Sequence, residues 1–291
     1  MTVLARRLRD LLEPVTGQVY FSPECHAAYS ALGFNPSPGR AGEVALPDGA
    51  AYFTSRGSVM GQVPGEVVAA AFGVFNPAAV IPSVTFGWTL TDAATICQAR
   101  TDGATAQLER ILGGSPAGLA PVTSILRRMS DGLRPEGRAL YAGVLSQGPP
   151  GTPVGDMWWY GDLLREFRGD SHTIAWVNAG FDAIEIGLLT ELWWGLPMAS
   201  YIRSRAWSEA QIGAAQDRLR SRGLVDGDGF SAAGREAREA VEAATDAQLS
   251  GVIHALGDDA DTLLQHLGQW SSAVVEAGGY LRGATDLTGG R

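Results

Sequence analysis

The chain has 291 residues, 45% of them hydrophobic and 18% charged, and a formal net charge of −9. This is the composition of an ordinary globular chain with enough apolar residues for a core. No stretch reaches the roughly 18 apolar residues of a membrane span, two cysteines (Cys25 and Cys97) make no disulfide framework, and the acidic balance disfavours a grip on nucleic-acid phosphates.

The N-terminal run lacks an apolar signal core, which reads as a cytoplasmic protein. Leu4 to Leu12 is predicted helical. Ser22, Pro23 and Glu24 form a helix start, with a cap, a proline at the first position and an acid in the first turn. Asn35 to Gly49 is rich in Pro and Gly and is expected to loop. Helices are expected over Pro64 to Phe72, Thr91 to Leu112 and Pro121 to Leu145. The stretch 146–155, with Pro149, Pro150 and Pro153, reads as a linker.

Beyond the linker the signals sharpen. Asp170 is expected to cap a helix running through Ile174, Val177 and Asn178 and stopped by Gly180. Ala183 to Trp194 has a broad apolar face, and Gly195 and Pro197 break it. A short helix is expected from Met198 to Arg205. Ser208 caps a further helix to Arg222, stopped by Gly223. Leu224 to Ser231 reads as a tight hairpin, followed by helices over Ala232 to Thr245 and Asp258 to Gly278.

Five short matches recur in the same order. Glu24-Cys25-His26 is echoed by Asp170-Ser171-His172 at an offset of 146, and Gly33-Phe34 by Gly180-Phe181 at 147. Tyr52 and Arg56 recur as Tyr201 and Arg205 at 149, Thr101-Asp102 as Thr245-Asp246 at 144, and Asp10-Leu11-Leu12 as Asp162-Leu163-Leu164 at 152. The drift is small enough to argue for a diverged tandem duplication. The expected division is 1–145, a linker 146–155, and 156–291.

In the second segment, the run Arg218 to Val225, followed by Phe230-Ser231-Ala232-Ala233-Gly234-Arg235, resembles the winged helix of MarR-type regulators. The whole chain also looks like a bacterial family ending in such a domain. The resemblance covers about Asp182 to Gly278. It implies a mainly α fold of two fused winged-helix-like halves forming a single-chain pseudo-dimer, hence a monomer with an internal pseudo-twofold axis. In the first half, Pro64 to Phe72 takes the recognition-helix position, and Val80 to Trp88 replaces the wing. The resemblance also implies DNA binding, and the residues argue against it. The start of the second recognition helix carries Glu209, and its wing carries Asp226 and Asp228 with no arginine.

The candidate catalytic residues are the paired acid-small-His motifs, His172 with Asp170 and His26 with Glu24. A histidine in the first turn of a helix is held neutral and can serve as base, donor or ligand. Cys25 at such a start is expected to have a lowered pKa. A matched histidine that only bonds a backbone carbonyl is the plainer alternative. Arg56 and Arg205, with Tyr52 and Tyr201, are candidates to clamp an anionic group, against an ion pair between helices. Trp159 and Trp176 belong to an aromatic-rich segment suited to line a cavity for a flat apolar ligand, although most such residues form cores. Motifs for phosphate loops, nucleophile elbows and zinc sites are missing. No metal is indicated, the cofactor is open, and a haem on histidine is compatible with the sequence without being indicated by it. The expectation is a small-molecule-binding protein, with its pocket between the halves near His172, that sequesters or acts on an aromatic or apolar ligand and has lost DNA. A ligand-responsive MarR-type regulator is the alternative, and an interaction scaffold a third reading.

Overall fold

A computed structural model describes residues 2–287. The fold is mainly helical. The first helices are α1 (Thr2–Gly17) and α2 (Pro23–Ala31). The Ser22 hydroxyl caps α2 by accepting from Cys25 N–H at 3.2 Å, as the sequence led us to expect. The 35–49 loop carries a minimal hairpin of β1 (Arg40–Ala41) and β2 (Val44–Ala45). There follow α3 (Gly49–Gly57), α4 (Gly65–Phe72), α5 (Pro77–Leu90), α6 (Ala93–Leu112), α7 (Leu119–Ser130) and α8 (Ala139–Gln147).

Two expectations fail in this stretch. Val80 to Trp88 is no wing substitute but the body of α5. Val80, Val84 and Gly87 are buried at helical spacing, and Gly87 presses on α3 so closely that a Cβ there would meet Thr54 Oγ1 at 2.0 Å. Pro121 to Leu145 is two helices, because the turn through Gly132 and Gly137, both at φ +73°, breaks the run.

The largest correction concerns α9 (Pro153–Asn178), one continuous helix of 26 residues. Asp170 lies in its interior and does not cap it, so Asp170, Ser171 and His172 are not in a first turn. Gly155, Gly161 and Gly169 each cost the helix about 1 kcal/mol relative to alanine. Packing outweighs that cost. α9 is flanked by α1, α6, α7, α8 and the later α12, and Trp158, Leu163 and Phe167 are fully buried. At Gly161 a Cβ would come within 2.7 Å of Thr16 Cγ2, so glycine is what lets α1 sit against α9. Gly180, at φ +73°, ends the helix as expected.

The last third follows the local signals closely. α10 (Ala183–Trp193) begins with an Asp182/Glu185 capping box, and α11 (Glu209–Ser221) with a Ser208/Gln211 box. Between them only Ile202–Arg205 is helical, as a 3-10 turn. β3 (Val225–Asp226) pairs with β4 (Gly229–Phe230), and α12 (Ala232–Gln248), α13 (Ser250–Leu256) and α14 (Ala260–Glu276) close the fold.

Packing crosses the sequence midpoint. α14 lies along α1, and α7 lies along α9. One continuous core runs from Ala5 to Val274, and a second, smaller one gathers α10, α11 and the hairpin around Leu188, Leu189, Ile212 and Leu219.

Candidate ligand cavity and helix-turn-helix face

Where α1, α9, α10 and α12 meet, they leave a cavity of about 910 Å³. One wall is aliphatic, with Leu8 and Leu12 of α1, Leu164 of α9 and Ile186 of α10. The segment 196–205 closes another side with Leu196, Tyr201, Ile202 and Arg205. Glu191 on α10 holds that segment. Its carboxylate accepts from Ala199 N–H at 2.7 Å and from Ile202 N–H. Burial pushes the Glu191 carboxyl up to about 7 against the stabilising pull of these bonds.

Two charged clusters line the polar part. In the first, Glu166 accepts from Arg56 Nη2 at 3.0 Å and Arg165 Nη1 at 2.8 Å, and Arg165 also meets Glu13 at 2.9 Å. Burial would raise the Glu166 carboxyl, but Arg56 and Arg165 overcome this and hold it at about 2. The second centres on Glu242 of α12. It takes Arg238 at 2.7 Å, Arg168 at 2.9 Å and Arg9 at 3.4 Å. Here too burial opposes ionisation, and Arg238 and Arg168 win, leaving the carboxyl at about 2.

His172 stands at the edge of this second cluster. Its Nδ1 lies 3.0 Å from Thr245 Oγ1, and that hydroxyl donates to Val241 O at 2.8 Å. The consistent assignment therefore has Nδ1–H donating to Thr245, with the Nε2 lone pair unengaged among the described residues. Burial drives the imidazole pKa down to about 3, against the pull of Glu242. The histidine is neutral as expected, but desolvation and neighbouring arginines make it so, not a helix N-terminus.

The other sequence candidates divide. His172, Arg56, Tyr201 and Arg205 converge on the cavity. Tyr52 stands behind Arg56, its hydroxyl 3.4 Å from Arg56 Nη1. His26 is in the first turn of α2, but its Nε2 bonds Tyr20 O at 3.0 Å, away from the cavity, and burial lowers its pKa. Glu24 pairs with Arg110 at 2.5 Å. Cys25 is corrected outright. It is fully buried against α6, and burial raises the thiol to about 12 despite its place at a helix start. Trp159 donates to Val144 O at 3.2 Å, and Trp176 packs in the smaller core. Neither lines the cavity. Asp170 serves α8: its Oδ2 accepts from Tyr141 N–H at 3.0 Å.

Sequence reasoning missed Arg9, Arg238, Glu242 and Glu191. The available signal was the spacing of Arg238, Val241, Glu242 and Thr245, which puts charges on the same helical face as a buried apolar residue. Among the described residues no group of three or more His, Cys, Asp or Glu side chains is placed to hold a metal ion. Nor is any helix there long and apolar enough to cross a membrane.

The arginines of α11 and its flanks are half-exposed and take part in surface ion pairs. Arg218 pairs with Asp182 and, at 3.1 Å, with Glu185; Arg222 meets Glu185 at 3.0 Å, Arg220 meets Asp217 at 3.0 Å, and Arg203 pairs with Glu209. Arg205 stacks on Phe75, 4.5 Å from the ring centroid. The start of α11 is also tied to the first segment. Asn76 N–H donates to Arg205 O at 3.0 Å, the Asn76 side chain to Ala206 O at 2.9 Å, and Trp207 Nε1 to Val74 O at 3.0 Å.

The succession of α10, turn, α11, hairpin and α12 defines a helix-turn-helix protein. The chain belongs to a helix-turn-helix family, whose model, described as "Helix-turn-helix family", matches residues 5–281. No curated protein and no solved structure matches this sequence.

Proposed function

We propose that this chain is a small-molecule-binding protein in which the helix-turn-helix unit serves as scaffold for the cavity and no longer as a DNA reader. The observation that carries the proposal is the cavity of about 910 Å³ bounded by α1, α9, α10 and α12, at the upper end of the range for ligand sites. The neutral His172 and the arginines Arg56 and Arg205 face it. A group with a pKa near 3 is a weak base, so the site favours holding a ligand over acid–base turnover by His172. The MarR-like comparison and the tandem duplication remain part of this reading. The crossed packing of α14 on α1 and α7 on α9 is what a fused pair of intertwined subunits would produce, and such a chain acts as a monomer.

Native mass spectrometry of gently purified protein tests the proposal. A monomer with extra organic mass, lost in a His172→Ala or Arg56→Ala variant, is the expected result. An empty chain that no apolar compound stabilises ends it.

Family membership favours a second reading, a ligand-responsive DNA-binding regulator. Fluorescence anisotropy with duplex DNA decides between them. The scaffold reading expects no binding at physiological salt, because the arginines of α11 and its flanks are paired internally or stacked. Tight binding with a steep salt slope would put the regulator first.

A further inference from the structure

The charge of the cavity wall runs opposite to that of the protein. Among the described residues seven arginines and four carboxylates line it, a surplus of three positive charges, in a chain whose net charge is −9. The surplus is sharpest around Glu242, one carboxylate shared by Arg9, Arg168 and Arg238. Asp10 offsets Arg9 from the solvent side at 2.7 Å. Glu239 and Asp246 are taken by Arg6, at 2.6 and 2.8 Å.

These cations are also short of acceptors. Arg238 is 2% exposed, yet among the described residues its Nε and Nη1 have no hydrogen-bond partner, and neither has the buried Nε of Arg168. Burial outweighs Glu242 and lowers the pKa of both arginines below the usual guanidinium range. Unmatched buried cations are costly unless something neutralises them. Arg9, Arg168 and His172 reach the cavity with side-chain exposures of 27, 16 and 21%, while Arg238, also in the wall, is almost wholly covered.

We infer that the cavity takes an organic anion, a carboxylate or phosphate monoester on an aliphatic body, its head group seated on Arg168 and Arg9 with Arg238 as a fixed charge in the wall. This deepens the small-molecule reading and rests on it. The aliphatic body follows from the wall, where Leu8, Leu12, Leu164, Ile186, Leu196 and Ile202 outnumber the aromatic side chains Trp194, Tyr201 and Tyr280. Guanidinium forks match the planar carboxylate and the phosphate oxygens alike.

Calorimetric titration of the full chain with decanoate, decyl phosphate, decanol and decylamine tests this. At least one of the two anions should bind about tenfold or more tightly than decanol, and which one does so identifies the head group. Arg168→Met should cost the anion about tenfold and leave decanol unchanged. It removes one of three cations sharing a carboxylate, so the fold should survive. Glu242→Gln should act in the opposite direction and tighten anion binding, which loss of a merely structural residue would not do. Equal affinity for decanoate, decyl phosphate and decanol, or preference for decylamine, overturns the anion inference and leaves the small-molecule reading standing. If no decyl compound binds, the inference falls. If the protein is then also empty by native mass spectrometry, the small-molecule reading falls with it.

Discussion

The Asp170 carboxylate accepts the Tyr141 backbone N–H at 3.0 Å, so a residue in the interior of α9 caps the separate helix α8. Arg138, at the N-cap position of α8, carries only donors and makes no side-chain capping bond to the helix. A first-turn donor of α8 is thus satisfied from across the core.

Asp170→Ala should destabilise the fold by about 1–2 kcal/mol, the worth of a cap, measured by urea unfolding. Asp170→Asn should behave differently. Burial raises the Asp170 carboxyl to about 6 against the Tyr141 bond. A raised carboxyl loses stability as pH climbs from the unfolded value near 4 through 6. Asn keeps an acceptor without ionising, so this variant should gain on wild type as pH rises from about 4 to 6, by on the order of 1 kcal/mol, and hold that gain above 6. A constant offset between pH 4 and 8 would refute that account.

Glu191 anchors the 196–205 wall segment through Ala199 and Ile202 N–H. Glu191→Ala should increase hydrogen exchange in that segment while α9 stays protected. The wild-type segment should itself loosen as pH rises through about 7, where the buried carboxyl ionises at a cost. Unchanged exchange in the variant would show that other contacts hold the wall.

His172 should remain neutral in the folded protein down to about pH 4, since burial holds it near 3. A histidine with a lowered folded pKa draws stability down as pH falls below the unfolded value near 6.5. Imidazole NMR titration reads this directly, and a midpoint above 5 would mean that water reaches the ring freely.

Gly103→Ala should cost about 1–3 kcal/mol. The new Cβ would stand 2.7 Å from Cys25 N and 2.6 Å from Cys25 Sγ, and the backbone atom cannot step aside. Thermal unfolding checks this, and a neutral result would mean that α2 and α6 can separate cheaply.

The α10–α12 region was legible because its signals are local. Asp182, Ser208 and Ser231 cap, and Gly223 at φ +68° stops. The course of α9 was not. Gly169 followed by Asp170 has the local pattern of a helix entry, and only burial against several helices keeps the chain helical through it. For the site, His172, Arg56, Tyr201 and Arg205 were recognisable as chemistry-bearing residues. Arg238 and Glu242 were not, since at spacing i, i+4 they look like a solvated surface pair and are in fact 2 and 3% exposed.

The crossed packing of α14 on α1 sets the tempo of biogenesis. More than 240 residues separate Gly17 from Ala260. At ribosomal rates α1 waits on the order of ten seconds or more for the α14 surface that packs along it. Throughout that interval an apolar stripe stands open to chaperones and to neighbouring nascent chains. Yield in the cell should therefore depend on how that stripe is shielded during synthesis as well as on the stability of the finished fold.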